Sequence, residues 1–199
     1  MITLDQLTRA VQAGRSDGSS DYDLNPTIKA ELPERSLRPA AVLIPLIERE
    51  GRWRVILTKR ASHLKHHAGQ VSFPGGKVEV GETIEAAALR EAEEEIGLPT
   101  SAVEMIGSLD VHETVTNFTV TPFVALANDF RPIIDAGEVE EMFEVPLDFL
   151  MSDQNMSIQG RNWHGHRRKY YTIPYGPYYI WGATARIIKV LADRVAQCA

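Results

Sequence analysis

Three glutamates at positions 91, 94 and 95 have the type and spacing to hold a hard metal ion. They stand in the run Arg90-Glu91-Ala92-Glu93-Glu94-Glu95-Ile96. At about 100° of rotation per helical residue, Glu94 falls about 300° and Glu95 about 40° around from Glu91, so the three share one face. Glu93, about 200° around, points elsewhere, toward solvent. Ala88, Leu89, Ala92 and Ile96 occupy the adjoining apolar face, which predicts carboxylates at the rim of the core. Like charges at i,i+3 and i,i+4 repel by about 0.2–0.5 kcal/mol per exposed pair, and by more when partly buried. Arg90, four residues before Glu94, offsets part of that. A divalent cation offsets far more, because Mg²⁺ and Mn²⁺ take carboxylate oxygens together with water and substrate phosphate. The plain alternative is a Glu-rich surface helix, and spacing alone does not choose between the two.

The distribution of charge extends the question beyond the helix. The formal net charge is −6. Lys77 to Glu95 holds seven acids against Lys77 and Arg90, whereas Gln154 to Ala192 holds no acid and six cations: Arg161, Arg167, Arg168, Lys169, Arg186 and Lys189. An acidic focus and a basic stretch in one small protein suggest a cation site beside an anion site; two solvated faces are the alternative. The sequence pI near 5.5 argues against general nucleic-acid binding.

These residues need elements to position them. Thr83 as N-cap and Gly97 as stop frame a helix over 84–96. Residues 3–13 form a shorter helix behind Thr3, and 183–195 a closing one with Ile187, Leu191 and Val195 inward. Apolar runs at 40–44, 54–58, 71–73, 103–109, 119–127 and 142–145 have strand character, and 14–26 has the composition of a loose polar connection. Strands interleaved with helices imply an α/β fold, a mixed sheet packed by helices. With 199 residues, one domain is expected. Its single cysteine, Cys198, read as exposed, excludes an intrachain disulfide and a zinc cluster. No run reaches the roughly 18 apolar residues of a membrane span, and the N-terminus has neither a basic start nor an apolar stretch. A cytoplasmic protein is expected.

Gly76-Lys77-Val78-Glu79-Val80-Gly81-Glu82, followed seven residues on by Arg90-Glu91-Ala92-Glu93-Glu94-Glu95-Ile96-Gly97-Leu98, resembles the Nudix box. Every fixed position fits; Ala92 stands where a larger aliphatic residue is usual. The resemblance implies an α/β/α sandwich with a mixed β-sheet and a loop–helix–loop metal motif. It also implies hydrolysis of a nucleoside diphosphate linked to another moiety. Glu91, Glu94 and Glu95 would be the metal ligands for Mg²⁺ or Mn²⁺, and Glu82 would brace the loop with Arg90. The Gly75 carbonyl is a further oxygen donor. Attack of water on a pyrophosphate requires neutralised oxygens, a positioned water and a stabilised leaving group, which clustered carboxylates holding cations supply.

Upstream, residues 56–76 resemble the additional signature of the coenzyme A pyrophosphatase branch. The match runs through Leu57, Thr58, Arg60, Ala61, Gly69, Phe73, Pro74, Gly75 and Gly76. It departs at Ile56 and at Lys65, where arginine is usual; lysine keeps the charge but loses the bidentate fork. The resemblance implies cleavage of CoA or a thioester to 3′,5′-ADP and (acyl-)4′-phosphopantetheine. Arg60, Lys65, Gly75 and Gly76 are then the candidate substrate contacts, with an ion pair to a helix carboxylate as the alternative for Arg60. Arg161, Arg167 and Arg168 fit either the 3′-phosphate or a solvated hairpin, the second being the expectation here. His63, His66 and His67 are expected on a loop surface. For the general base the resemblance offers Glu138, with Glu94 as alternative; Arg90 completes the catalytic set.

Two other functions stay open on sequence: hydrolysis of another nucleoside diphosphate derivative such as ADP-ribose or NADH, and a Nudix-fold binding module without turnover. Residues 38–199 form the expected hydrolase domain. Residues 1–37, an N-terminal helix and polar linker, form an accessory segment with two roles open, capping the core or contributing to a homodimer.

Overall fold

A computed structural model describes residues 2–13, 18–163 and 165–198. In chain order these form α1 (Leu4–Gln12), β1 (Ser19–Ser20), α2 (Pro26–Ala30), β2 (Arg38–Arg49), β3 (Arg52–Arg60), β4 (Val71–Ser72), β5 (Gly75–Lys77) and α3 (Ile84–Ile96). There follow β6 (Val103–Ser108), β7 (His112–Glu113), β8 (Phe118–Ala127), β9 (Val139–Pro146), α4 (Leu147–Leu150), β10 (Ser157–Trp163), β11 (His166–Tyr175), β12 (Tyr178–Trp181) and α5 (Ala183–Gln197). The main sheet runs β1-β7-β8-β2-β3-β4, with β5 also on β2, β6 on β8 and β9 on β3. It is mixed: β2 pairs β8 in parallel from Arg38↔Phe118 to Ile47↔Ala127, while β2 and β3 are antiparallel.

The period of two along β2 explains the layers. Ala41, Leu43 and Ile47 face α3, clustering with its Ala88, Ala92 and Ile96. Ala40, Ile44 and Leu46 face the other way, into a core with Leu7 and Val11 of α1 and Ile188, Leu191 and Val195 of α5. The result is the expected α/β/α sandwich. The N-terminal helix therefore caps the core, and its capping box, Thr3 with Gln6, sets its start. Among the described residues, no helix is long and apolar enough to cross a membrane.

Three expectations need correction. The described part of 14–26 is not loose: Ser19–Ser20 pairs in parallel with His112–Glu113, Tyr22 is buried, and Asn25 exchanges hydrogen bonds of 2.9 and 2.7 Å with the Lys169 backbone. Residues 14–17 lie outside the described residues. The basic stretch is the expected hairpin, with Arg161 and Arg167 exposed, but it belongs to a second, three-stranded sheet, β10-β11-β12, and Arg168 is not solvated: it is 3% exposed and paired with Asp21 at 3.2 Å. Cys198 is half-buried against the α1/α5 core, because the last turn of α5 still packs.

Candidate active site

Helix α3 is framed by local chemistry. The Thr83 hydroxyl accepts the Ala86 N–H at 3.1 Å, and Gly97 ends the helix in the left-handed region at φ +70°. A side chain there would also press within 2.8 Å of the Ile133 nitrogen. Ala87, Ala88 and Ala92 are fully buried, and their short side chains let the helix lie close to β2 and β5. The buried face is centred nearer Glu95 than the helical rotation suggested, because Ala87 rather than half-buried Leu89 completes it. Glu95 thus sits inside the core's edge, with its side chain 3% exposed, against 16% for Glu91 and 59% for Glu94.

Glu95 has few partners for its depth. The Arg60 Nη1 stands 3.7 Å away and the Gly75 N–H donates at 3.3 Å. Burial disfavours its charged form, Glu91 and Glu138 repel it, and Arg60 with the Gly75 N–H only partly compensates; its pKa is pushed up to about 8. Glu91 is raised too, chiefly by burial, with Glu94 and Glu138 adding to it against the opposing charge of Arg90.

Arg90 is the hub of the motif. It forks onto Glu82 (2.9 and 3.2 Å) and reaches Glu91 at 3.1 Å, Glu94 at 2.8 Å and the Lys77 carbonyl at 3.1 Å. Glu82 in turn accepts the Glu79 N–H at 3.0 Å, so Glu82 and Arg90 brace the loop leading into α3. At Gly76 a Cβ would meet the Glu91 carboxylate and push it from the place where Arg90 holds it. At Gly75 a Cβ would strike the Ala41 carbonyl on β2. Among the described residues, no three carboxylates or imidazoles converge as a ready-made cage; Arg90 and Arg60 hold the carboxylates instead.

Of these groups Arg60, Gly75 and Gly76 line a cleft of about 750 Å³, together with His66, His67, Ser72 and Phe73. Arg60 is aimed by an irregularity of the β3–β9 pairing at Lys59/Arg60. A second compartment of about 340 Å³ shares Arg60, His67 and Ser72 with the first. Lys65 and His63 are exposed on the loop between β3 and β4 and line neither compartment. Glu138 is exposed on the loop before β9, where its carbonyl accepts the Ala61 N–H at 2.8 Å. Glu91, Glu94, Glu95 and Arg90 are therefore gathered on one helix, with Arg60, Gly75 and Gly76 against it and Glu138 within electrostatic reach. Arg38, Phe118 and Trp181 also line the compartments. They lie far from the motif in the chain, and no local spacing marks them.

The donor set fits a hard divalent cation. It is made of carboxylates only, one of them kept from ionising by burial and by its neighbours, and a cation would supply the missing countercharge.

A family model described as NUDIX domain matches residues 37–164. The chain is 42% identical over 179 residues to a Nudix hydrolase, NudL, of Enterobacter sp. (strain 638), covering 87% of this chain and 90% of that one. It is also 42% identical over 158 residues to Nudix hydrolase 15, mitochondrial, of Arabidopsis thaliana, covering 75% and 55%. Among solved structures, the NUDIX domain of Shewanella oneidensis NrtR, crystallised with ADP ribose, aligns over 86% of this chain and 98% of its own. Its TM-score is 0.53 at 14% identity, a likeness of fold.

Proposed function

Because the chain belongs to the NUDIX domain family, whose hydrolases act on pyrophosphate bonds of small molecules and generally use divalent metal cations, we propose that it cleaves the diphosphate of coenzyme A or its thioesters. The products are 3′,5′-ADP and 4′-phosphopantetheine or its acyl form. The observation that carries the reading is Glu95, a carboxyl 3% exposed, repelled by two other acids, Glu91 and Glu138, and hydrogen-bonded to the N–H of Gly75, which lines the cleft. The motif Leu57 to Gly76 supports the choice of substrate, since its Arg60, Phe73, Gly75 and Gly76 all line that cleft.

Glu91, Glu94 and Glu95 would hold Mg²⁺ or Mn²⁺, which when bound screens the phosphate oxygens and acidifies water. Glu138 takes the proton of the attacking water, with Glu94 as the alternative base. Arg90 positions Glu91 and Glu94 through the bonds described. Arg60 turns from Glu95 to a substrate phosphate, Lys65 approaches another from its exposed loop, and Gly75 and Gly76 let the diphosphate lie against backbone. Residues 38–199 form the catalytic domain and 1–37 an accessory segment, in a protein of the cytoplasm.

The test is incubation with CoA and Mg²⁺ or Mn²⁺, products read by mass, beside a Glu94→Gln/Glu95→Gln double variant. Formation of 3′,5′-ADP by the unmodified chain alone supports the reading. Cleavage of ADP-ribose but not CoA would retain the metal helix and discard CoA, with Lys65 the first suspect. Inertness toward both favours a binding module. Within the same assay, Glu138→Gln is expected to lower turnover about 10²–10⁴-fold with metal affinity kept; near-normal turnover removes it as the base.

A further inference from the structure

The second compartment is walled by one face of the small sheet. Pairing of Arg161 with Arg168, Gln159 with Tyr170, and Thr172 with Trp181 puts Arg161, Arg168, Tyr170 and Trp181 on the same side. Trp181, the last residue of the edge strand β12, is where these side chains meet. The Arg161 guanidinium lies 4.6 Å over its ring, and Tyr170 meets it edge-on at 5.2 Å. Arg168 is committed to Asp21. Arg161 is exposed, and among the described residues no carboxylate pairs with it. No acid occurs anywhere from Gln154 to Ala192.

We propose that this face is the subsite for the nucleoside end of the substrate: the purine ring stacks on Trp181, and Arg161, displaced from the ring, turns to the phosphate on the sugar. An indole face that already holds a planar cation suits a planar base, and base–aromatic stacking is worth about 1–3 kcal/mol. The freed guanidinium is a forked donor that matches phosphate. Arg60 joins the two compartments, since it lines both and reaches Glu95. A diphosphate at Arg60 would therefore send its nucleoside into the smaller compartment. The larger one also holds a guanidinium over a ring, Arg38 on Phe118 at 4.2 Å, but its neighbours Ala40, Val42 and Val120 are apolar. That end suits the uncharged arm.

The inference rests on the CoA reading for its substrate, yet it is testable without turnover. Titration calorimetry would measure binding of 3′,5′-ADP and of 5′-AMP to the full chain without added metal. Trp181→Leu should weaken both ligands by roughly 5–150-fold, the span that stacking supplies. Arg161→Gln should weaken 3′,5′-ADP by about tenfold and 5′-AMP little, as expected for one lost charge-assisted contact. Trp181→Phe, which keeps a ring, should bind closer to the unmodified chain, separating stacking from any loss of fold; melting curves of each variant check the latter. Unchanged affinity in Trp181→Leu overturns the platform, and equal losses for both ligands in Arg161→Gln overturn the phosphate contact. If the chain leaves CoA uncleaved yet binds 3′,5′-ADP in a Trp181-dependent way, the subsite stands and the CoA reaction falls. Cleavage of CoA with variant-independent binding gives the reverse.

Discussion

Asp21 and Glu95 are both buried acids facing an arginine, with side chains 7% and 3% exposed, yet their protons behave in opposite ways. Burial would raise Asp21, but the hydrogen bond and charge of His112, the charge of Arg168 and the Val115 N–H outweigh it, so its carboxyl is held below the usual carboxylate range. Burial raises Glu95 as well, and there the neighbours Glu91 and Glu138 reinforce it. The partners of Asp21 come from β7, β11 and the turn after β7, and they close a clasp that ties the N-terminal segment to both sheets. The arginine of Glu95 stands back at 3.7 Å. A buried acid whose partners are all provided is architecture, whereas one left among like charges is a candidate place for a ligand.

The comparison can be broken most decisively at Glu95. Glu95→Gln is expected to lower hydrolysis about 10²–10³-fold, as loss of a preorganised electrostatic group does. Its melting temperature should hold, because the amide matches the neutral acid in shape and charge. A collapsed melt with surviving turnover would make Glu95 a second clasp. Asp21→Asn should do the opposite and cost about 3–5 kcal/mol, the range for breaking a buried pair, or on the order of 10 °C in a chain of this size. Its pH signature has a definite sign. Since the folded carboxyl is held below its ordinary range, the contribution of Asp21 is complete above the ordinary aspartate pKa and is lost as pH falls through the lower folded value. Melts from neutral to strongly acidic pH should therefore show the asparagine variant converging on the unmodified chain in acid; parallel curves would assign the acid response elsewhere. The smallest effect is expected at Thr83→Ala, about 1 kcal/mol from the lost cap of α3, seen as a melt lowered by about 2–4 °C with turnover at 25 °C unchanged. A large loss of turnover there would tie the helix start to the chemistry.

What was legible in sequence is what local chemistry dictates. Thr83 and Gly97 mark the ends of α3 because capping and a left-handed stop are decided within a turn of the chain, and the apolar runs of β2, β3, β6 and β8 declare themselves by content. The carboxylate helix, Arg90 and Glu82 fall within one short stretch and were found together. The second sheet escapes such a reading because its exposed residues Gln159, Arg161 and Lys169 show no apolar alternation to reveal it. The Asp21–Arg168 pair joins distant segments, so no spacing rule reaches it. The depth of Glu95 was underread because a helical wheel cannot tell that Leu89 would stay half-buried while Ala87 faced the sheet.

The two sides of the main sheet also differ in when they can be completed. The buried members of the α3 layer all lie between Ala41 and Ala127. The opposite layer joins Leu7 and Val11 to Ile188, Leu191 and Val195. On a ribosome adding about 5–20 residues per second, the apolar stripe of α1 waits on the order of ten seconds or more for its partner helix. The side that carries the carboxylates has all its parts while α5 is still unmade. Nascent chains halted after residue 150 should accordingly be cut by protease in α1 before α3. Ribosome-bound chaperones would have their longest opportunity at the first helix rather than at the one that carries the carboxylates.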